Sequence, residues 1–347
     1  MRDRRFGRQI NHLVDVDNAE KEERCPALVR FDQNSLLEME PPTHTRLRRL
    51  VSRAFVSRQV ETQREEITTL ANTLIDKIDT NQPFDLLSSY AEVIPVIVIC
   101  KLLGVPTEMA DQLLDWSHKM VAIYEHGNNK EVERIANEAT LSFEAFIESE
   151  IENKKRKPSN DLLSALIKVE EEGERLNIEE LIATSILLLN AGHEATVHGI
   201  GNGVKAILEN SIDVTSTEEG ARALTEECLR FDPPLHMFTR FVLEDLEYQG
   251  QAFKQGDVIG LLLGSANRDE EKFSDAHLFN PTRGGIGHTS FGAGIHFCVG
   301  APLARLEIEI ALSVLFERLP KVRIGSEPVY ADRYHFHGLE ALVLHSR

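Results

Sequence analysis

The sequence is poor in cysteine, aromatic side chains, basic charge and long apolar runs, and each deficit removes a class of protein. Its four cysteines (Cys25, Cys100, Cys228 and Cys298) lie too far apart in 347 residues for a disulfide framework or a Cys-x-x-Cys zinc site, which points to a reducing compartment. Basic residues number 38 against 56 acidic ones, and the formal charge of −18 repels polyanions. No apolar run reaches the roughly 18 residues of a membrane span, and the opening Met1-Arg2-Asp3-Arg4-Arg5 has no signal-peptide core behind it. The expectation is a soluble cytoplasmic protein with no nucleic-acid and no membrane partner. At 42% hydrophobic and 27% charged residues the composition is that of a globular chain.

Aromatics make up only 6%, and apolar residues recur mostly at helical spacing, so helix predominates. Residues 59–79 and 129–156 read as amphipathic surface helices. Gly104-Val105-Pro106-Thr107 ends one helix and offers Thr107 as a cap for the next, and residues 157–161 repeat the device. Strand patterns are confined to the second half: Phe241 to Tyr248, Gln251 to Leu263 around a Gly256-Asp257 turn, and a weak set from Val329 to His345. No repeat or low-complexity tract marks a second folding unit, so residues 1–347 read as a single, mainly α domain with small β elements.

Asn177-Ile178-Glu179-Glu180 is a capping box, and the nearly all-apolar stretch behind it predicts a helix of roughly 33 residues, about 50 Å long, through the middle of the protein. Its interior holds Gly192-His193-Glu194-Ala195-Thr196. Glycine weakens a helix and a buried carboxylate is costly unless paired, and such conflicts mark functional sites.

Residues 291–300 read Phe-Gly-Ala-Gly-Ile-His-Phe-Cys-Val-Gly, and Pro302 then opens an amphipathic helix, so Cys298 lies just before a helix N-terminus. Amide dipoles there favour a thiolate and a lowered cysteine pKa, and the glycines allow a tight loop that a flat partner can approach. The loop suits a metal-bound thiolate or a catalytic cysteine. His296 is not reliably placed as a base for a nucleophile, and a zinc site finds no further ligands at suitable spacing. A thiolate bound axially to haem iron is the third option.

The string Phe291-Gly-x-Gly-x-His296-x-Cys298-x-Gly300 resembles the haem-binding loop of the cytochrome P-450 family, with a chance occurrence on the order of one in a million chains. Ala191 to Thr196 resembles the family's oxygen-activating segment, and Glu227-Cys228-Leu229-Arg230 its E-x-x-R pair. Glu and Arg also stand three apart at Glu61/Arg64, Glu131/Arg134, Glu172/Arg175 and Glu219/Arg222, and order along the chain selects Glu227/Arg230. The likeness runs from end to end, closest to soluble bacterial members, and includes His44-Thr45-Arg46-Leu47-Arg48, Arg240 and Ala266-Asn267-Arg268-Asp269.

The resemblance implies a helical prism with small β-sheets that holds haem b (iron protoporphyrin IX). Cys298 would be the iron ligand; His44, Arg48, Arg240 and His296 would bind the propionates; and Phe291, packed beside the thiolate, Gly292, Gly300 and Ala191 would be further cofactor contacts. Glu227 and Arg230 would tie their helix to the loop before Cys298. The activity implied is a monooxygenase inserting one atom of O2 into a medium-sized, largely apolar small molecule. Electrons would come from NAD(P)H through a ferredoxin or flavodoxin and its reductase, with Arg46, Arg48, Arg49 and Arg53 as a docking surface or a propionate and solvent face. Glu194 would steer protons, helped by a helix distortion at Gly192, with Ala195 and Thr196 completing the catalytic segment. Peroxide-driven oxidation, redox or gas sensing by a haem-thiolate protein, and a haem-free scaffold are the alternatives. Substrate contacts are expected from Lys21 to Leu37, Trp116 to Asn128, Leu188 to Glu194 and Leu235 to Phe238.

Three positions depart from the family's pattern. Ala195 replaces the usual alcohol, and Thr196, about 100° further around the helix, cannot simply take over, so a substrate hydroxyl or an ordered water is expected to fill the gap. Leu278 stands where an Arg usually completes a triad with Glu227 and Arg230, with His277 or Arg283 as substitutes. The segment Arg2 to Gly7 resembles one that normally follows the family's first helix and strands, so the domain is expected to lack those pieces, to leave strand edges unpaired and to gain thermal stability from any upstream segment.

Overall fold

Asn177 begins the longest element of the computed structural model. Its side-chain oxygen accepts the Glu180 N–H at 2.8 Å, Glu180 accepts the Asn177 N–H at 3.0 Å, and Ile178–Glu209 follows as a 32-residue α-helix. The structure describes residues 1–10, 19–55, 60, 63–125, 129–170, 173–214, 217–284, 287–333 and 335–346. Most of the long helix is buried on all sides because helices surround it: Val93–Leu103, Lys130–Arg156, Glu218–Phe231 and Ala301–Arg318 all pack against it. It stays α-helical from Gly192 through Thr196, so the expected distortion at Gly192 is absent. The glycine serves packing instead, since a methyl there would stand 3.1 Å from the Ile99 side chain.

The amphipathic segments fold as Arg64–Lys77 and Lys130–Arg156, with 59 and 61–62 of the first expectation outside the described residues. Gly104 ends the Val93–Leu103 helix at φ +78°, the left-handed conformation that favours glycine. Thr107 does not cap the next helix; it begins a short 3-10 turn, Thr107–Met109, before Ala110–Val121. Asp161 does cap its helix, Leu162–Lys168, accepting the Ser164 N–H at 2.7 Å.

Strands are small and antiparallel. β1 (Phe6–Gly7), β3 (Met237–Val242) and β6 (Val258–Leu262) form one sheet in the order β1-β3-β6, with Phe6 opposite Val242 and Thr239 opposite Gly260. β2 (Phe84–Asp85), β7 (Arg323–Ile324) and β10 (Val343–His345) form a second, in the order β2-β10-β7. Two hairpin-like pairs add β4 (Leu246–Tyr248) with β5 (Gln251–Phe253), and β8 (Val329–Tyr330) with β9 (Leu339–Ala341). β1 and β2 correct the expectation that strands occupy only the second half; two-residue strands are too short to show alternation.

One apolar cluster reaches from Phe31 to Leu344. Cys25, Cys100 and Cys228 are buried free thiols, while Cys298 keeps accessible surface. Among the described residues no helix is long and apolar enough to cross a membrane.

Candidate functional site

The cysteine loop is built by two glycines in the left-handed region, Gly292 at φ +71° and Gly294 at φ +76°. They turn the chain so that the Cys298 N–H donates to the Phe291 carbonyl at 3.0 Å. Gly300 has an ordinary φ of −81° and forms the N-cap of Ala301–Arg318, with Pro302 in its first turn. Cys298 is accessible, yet burial pushes its thiol pKa up against the N–H groups of Gly300 and Ala301 and the charges of Arg48 and Arg305. The lowered pKa expected from the helix dipole is therefore reversed in the free thiol, because desolvation outweighs the amides. Phe291 lies under the Arg305 guanidinium at 4.5 Å, with Phe297 at 6.4 Å.

Basic groups converge beside this loop. His44, on the Thr43–Ala54 helix, lies 4.3 Å from the His296 ring, and His296 meets Glu40 at 3.2 Å. Burial, with the neighbouring His296 and Arg48, pushes His44 down to about 4. Burial also lowers Arg48, which feels Cys298, and takes Arg240 of β3 down to about 10. Burial works to raise Glu40, but the His296 and Arg8 hydrogen bonds hold it below its ordinary value. The neighbouring arginines do not form one exposed cluster: Arg46 pairs with Glu180 of the capping box and donates to the Arg175 carbonyl at 3.2 Å.

On the long helix, Ala191 is exposed and Leu187 and Ala195 are partly so, although the residues around them are buried. At four-residue spacing these three form one face of the helix that neighbouring side chains leave partly uncovered. Thr196 is not on that face; it is buried beside the Glu307 carboxyl, which burial holds far above its usual pKa. Glu194 is buried among three histidines and an arginine. His118 Nε2 lies at 2.9 Å and His198 Nε2 at 3.4 Å, with His193 at 3.9 Å and Arg333 at 3.8 Å. Burial favours the neutral acid, but these partners hold Glu194 well below the carboxylate range and raise His118. His198, four residues after Glu194, was within reach of helical spacing; His118 and Arg333 had no local signal, since the fold alone delivers them.

Behind the cysteine loop, Arg230 holds both oxygens of Glu227 at 2.7 Å and donates to the carbonyls of Asn267, Ala276 and Leu278. Arg283, not His277, takes the place left by Leu278: its Nε lies 3.5 Å from Glu227, and its other nitrogens hold the Ser274, Asp275 and Leu278 carbonyls. Ser290 donates to the Leu229 carbonyl at 2.7 Å, tying this helix to the loop before Cys298. Of the expected substrate contacts, 126–128 lie outside the described residues. Trp116 packs on Phe143 and Phe146, and Phe238 lies under Arg240 at 5.8 Å, and both stay partly exposed.

A family model described as Cytochrome P450 matches residues 16–211 and 221–321. Polyketide biosynthesis cytochrome P450 PksS of Bacillus subtilis is 36% identical over 340 residues, 94% of this chain and 83% of its own length. The 6-deoxyerythronolide B hydroxylase of Saccharopolyspora erythraea is 38% identical over 290 residues, 82% of this chain and 70% of its own. Among solved structures, P450BioI in complex with hexadec-9Z-enoic acid-ligated acyl carrier protein superposes with a TM-score of 0.91 at 31% identity, covering 99% of this chain and 88% of that one. Members of this family carry haem iron and need redox partners and substrates. The helical prism, the thiol loop and these likenesses agree: the chain belongs to the cytochrome P450 family of haem monooxygenases.

Proposed function

We propose that Cys298 is the thiolate ligand of haem b and that His44, Arg48, Arg240 and His296 take its propionates. The cradle fits that group on its own chemistry. His44 Nδ1 is buried without a hydrogen bond, Arg48 has no partner among the described residues, and Arg240 donates to the carbonyl of its neighbour Thr239 at 2.7 Å. Basic groups left unmatched in this way suit a dianionic ligand. Ala191, Gly192 and Ala195 would face the cofactor, with Phe291, Gly292 and Gly300 shaping the loop. The reading treats residues 1–347 as one domain, because the cradle draws on both halves. When bound, the haem-thiolate supplies the oxygen chemistry by which the family places one atom of O2 in a substrate.

The residues supply proton and substrate handling. Glu194, bonded to the exposed His118, is where a proton from solvent enters the buried helix, and Ala195 leaves the hydroxyl's part to the substrate or to a water. The substrate is a medium-sized, largely apolar small molecule, in keeping with relatives that act in polyketide biosynthesis and on 6-deoxyerythronolide B. Electrons come from NAD(P)H through a ferredoxin or flavodoxin and its reductase.

The carrying observation is that the exposed residue Cys298 sits between the left-handed glycine turn and the helix opened by Gly300, with the Gly300 and Ala301 amides and the Arg48 charge directed at its thiol. The test is the absorption spectrum of the reduced, carbon-monoxide-bound protein beside that of Cys298→Ser. A strongly red-shifted Soret band that disappears in the variant supports thiolate ligation. A band at shorter wavelength in the unmodified protein would overturn it.

A further inference from the structure

His193 makes one hydrogen bond, and the tautomer it selects leaves the rest of the ring unemployed. Nδ1 lies 2.9 Å from the carbonyl of Leu189, one turn back, so it carries the proton and Nε2 holds a lone pair. That Nε2 is buried, on a side chain only 3% exposed, and has no hydrogen-bond partner. It points toward Glu194 Oε1 at 3.9 Å, the same oxygen that His118 Nε2 approaches at 2.9 Å, and the three atoms lie within 4.8 Å of one another. The other carboxylate oxygen, Oε2, lies 3.4 Å from His198 Nε2, which makes no hydrogen bond, and 3.8 Å from Arg333.

We propose that His118, His193 and Glu194 form a binding site for a divalent transition-metal ion of the zinc type, set on the face of the long helix that meets the Ala110–Val121 helix. Two imidazoles and a carboxylate are the donors such ions prefer, and bonds of about 2.0–2.1 Å put tetrahedral ligand atoms roughly 3.3 Å apart. The observed 2.9 and 3.9 Å bracket that spacing. A backbone carbonyl fixing the far nitrogen of a ligand histidine is the outer contact that orients metal ligands, and the Arg333 guanidinium stands near the free carboxylate oxygen. His118, 57% exposed, is both the adjustable ligand and the way in, and a water completes the fourth position. Binding displaces the His118–Glu194 hydrogen bond, and the proton it holds leaves to solvent.

The second histidine–carboxylate group, Asp232, His236 and His337, does not compete on these grounds. Its imidazoles stack face to face at 3.7 Å, so their in-plane lone pairs run side by side, and Asp232 already accepts from Tyr330 and lies 3.0 Å from His337.

The metal site stands whether or not the haem assignment holds; only its consequence, that the ion withdraws Glu194 from proton delivery, rests on that reading. The test is calorimetric titration of the haem-loaded full chain with Zn2+, in two buffers of different ionisation enthalpy, together with zinc-edge absorption. One equivalent should bind with proton release and a two-imidazole signature, and His118→Asn and His193→Leu should each weaken binding at least tenfold. His118 is at the surface, so His118→Asn keeps the test decisive if His193→Leu folds poorly. No saturable binding to the unmodified protein, or binding unchanged in His118→Asn, would overturn the assignment; the second result would locate the zinc elsewhere, with Asp232→Asn separating that group.

Discussion

Ala195 shares the accessible face of the long helix with Ala191 and Leu187, and Thr196, the nearest hydroxyl in sequence, is turned away beside Glu307. If substrate or water already does the hydroxyl's work, Ala195→Thr should change product formed per electron by no more than about twofold, well short of the roughly 10²–10⁴ that a proton-transfer group contributes. A large gain would mean that the position is simply deficient. Glu307 offers a separate check on the buried acids. Its folded-state pKa lies well above 4.5, so the neutral form contributes stability that is complete below pH 4.5 and is lost as pH rises. Glu307→Gln should therefore lack that decline and gain on the parent protein from pH 4.5 toward 8, measured by chemical unfolding at each pH. Glu194 was legible as a conflict between a charge and an apolar helix. Its partners were not, because His118 lies 76 positions earlier and Arg333 139 later, and only the packing of separate segments brings them to one carboxylate.

At the scale of elements, the capping box is joined to the helix that carries His44 and Arg48. Glu180 bonds the Asn177 N–H and also receives Arg46, so one carboxylate closes a helix end and holds a second helix against it. Asn177→Ala should cost about 1 kcal/mol, as loss of a cap does. Glu180→Ala should cost more, roughly 1–3 kcal/mol, because it also strands Arg46. Equal losses in the unfolding midpoints of the two variants would mean that the Arg46 contact contributes nothing. The Glu227 clamp makes the stronger case. Arg230→Ala leaves a buried carboxylate whose remaining charged neighbour is Arg283 at 3.5 Å, and about 3–5 kcal/mol should be lost, together with the order of the segment before Cys298. The long helix and the cysteine loop were readable because each carries its own local signal: a capping box before an apolar run, and glycines before a proline-opened helix. β1, β2 and β7 were not, since two residues hold no period and their pairing partners lie far away in the chain. The Arg283 substitution was open for the same reason: His277 and Arg283 both lie near Leu278 in sequence, and only the path of the loop turns Arg283 inward while His277 stays exposed.

Over the whole molecule, a chain of formal charge −18 gathers four basic groups at one interior cradle. The sign of that arrangement opposes the rest of the protein, and its consequence is a dependence of stability on what fills the cradle. Without an anionic ligand, His44 has a folded-state pKa of about 4 against an ordinary 6.5, so the unfolded chain binds more protons between those values. The neutral ring's contribution is fully present above pH 6.5 and is lost as pH falls toward 4, about 3 kcal/mol at most. A bound propionate beside His44 favours its charged form, raises its folded-state pKa and removes that loss. The haem-loaded protein should therefore unfold at a higher temperature at pH 7, because a ligand held by the native state alone stabilises it. The margin between loaded and haem-free protein should widen as pH falls from 6.5 to 4. Unfolding midpoints of both forms across that range measure it, and two parallel curves would mean that the His44 group does not receive the propionates.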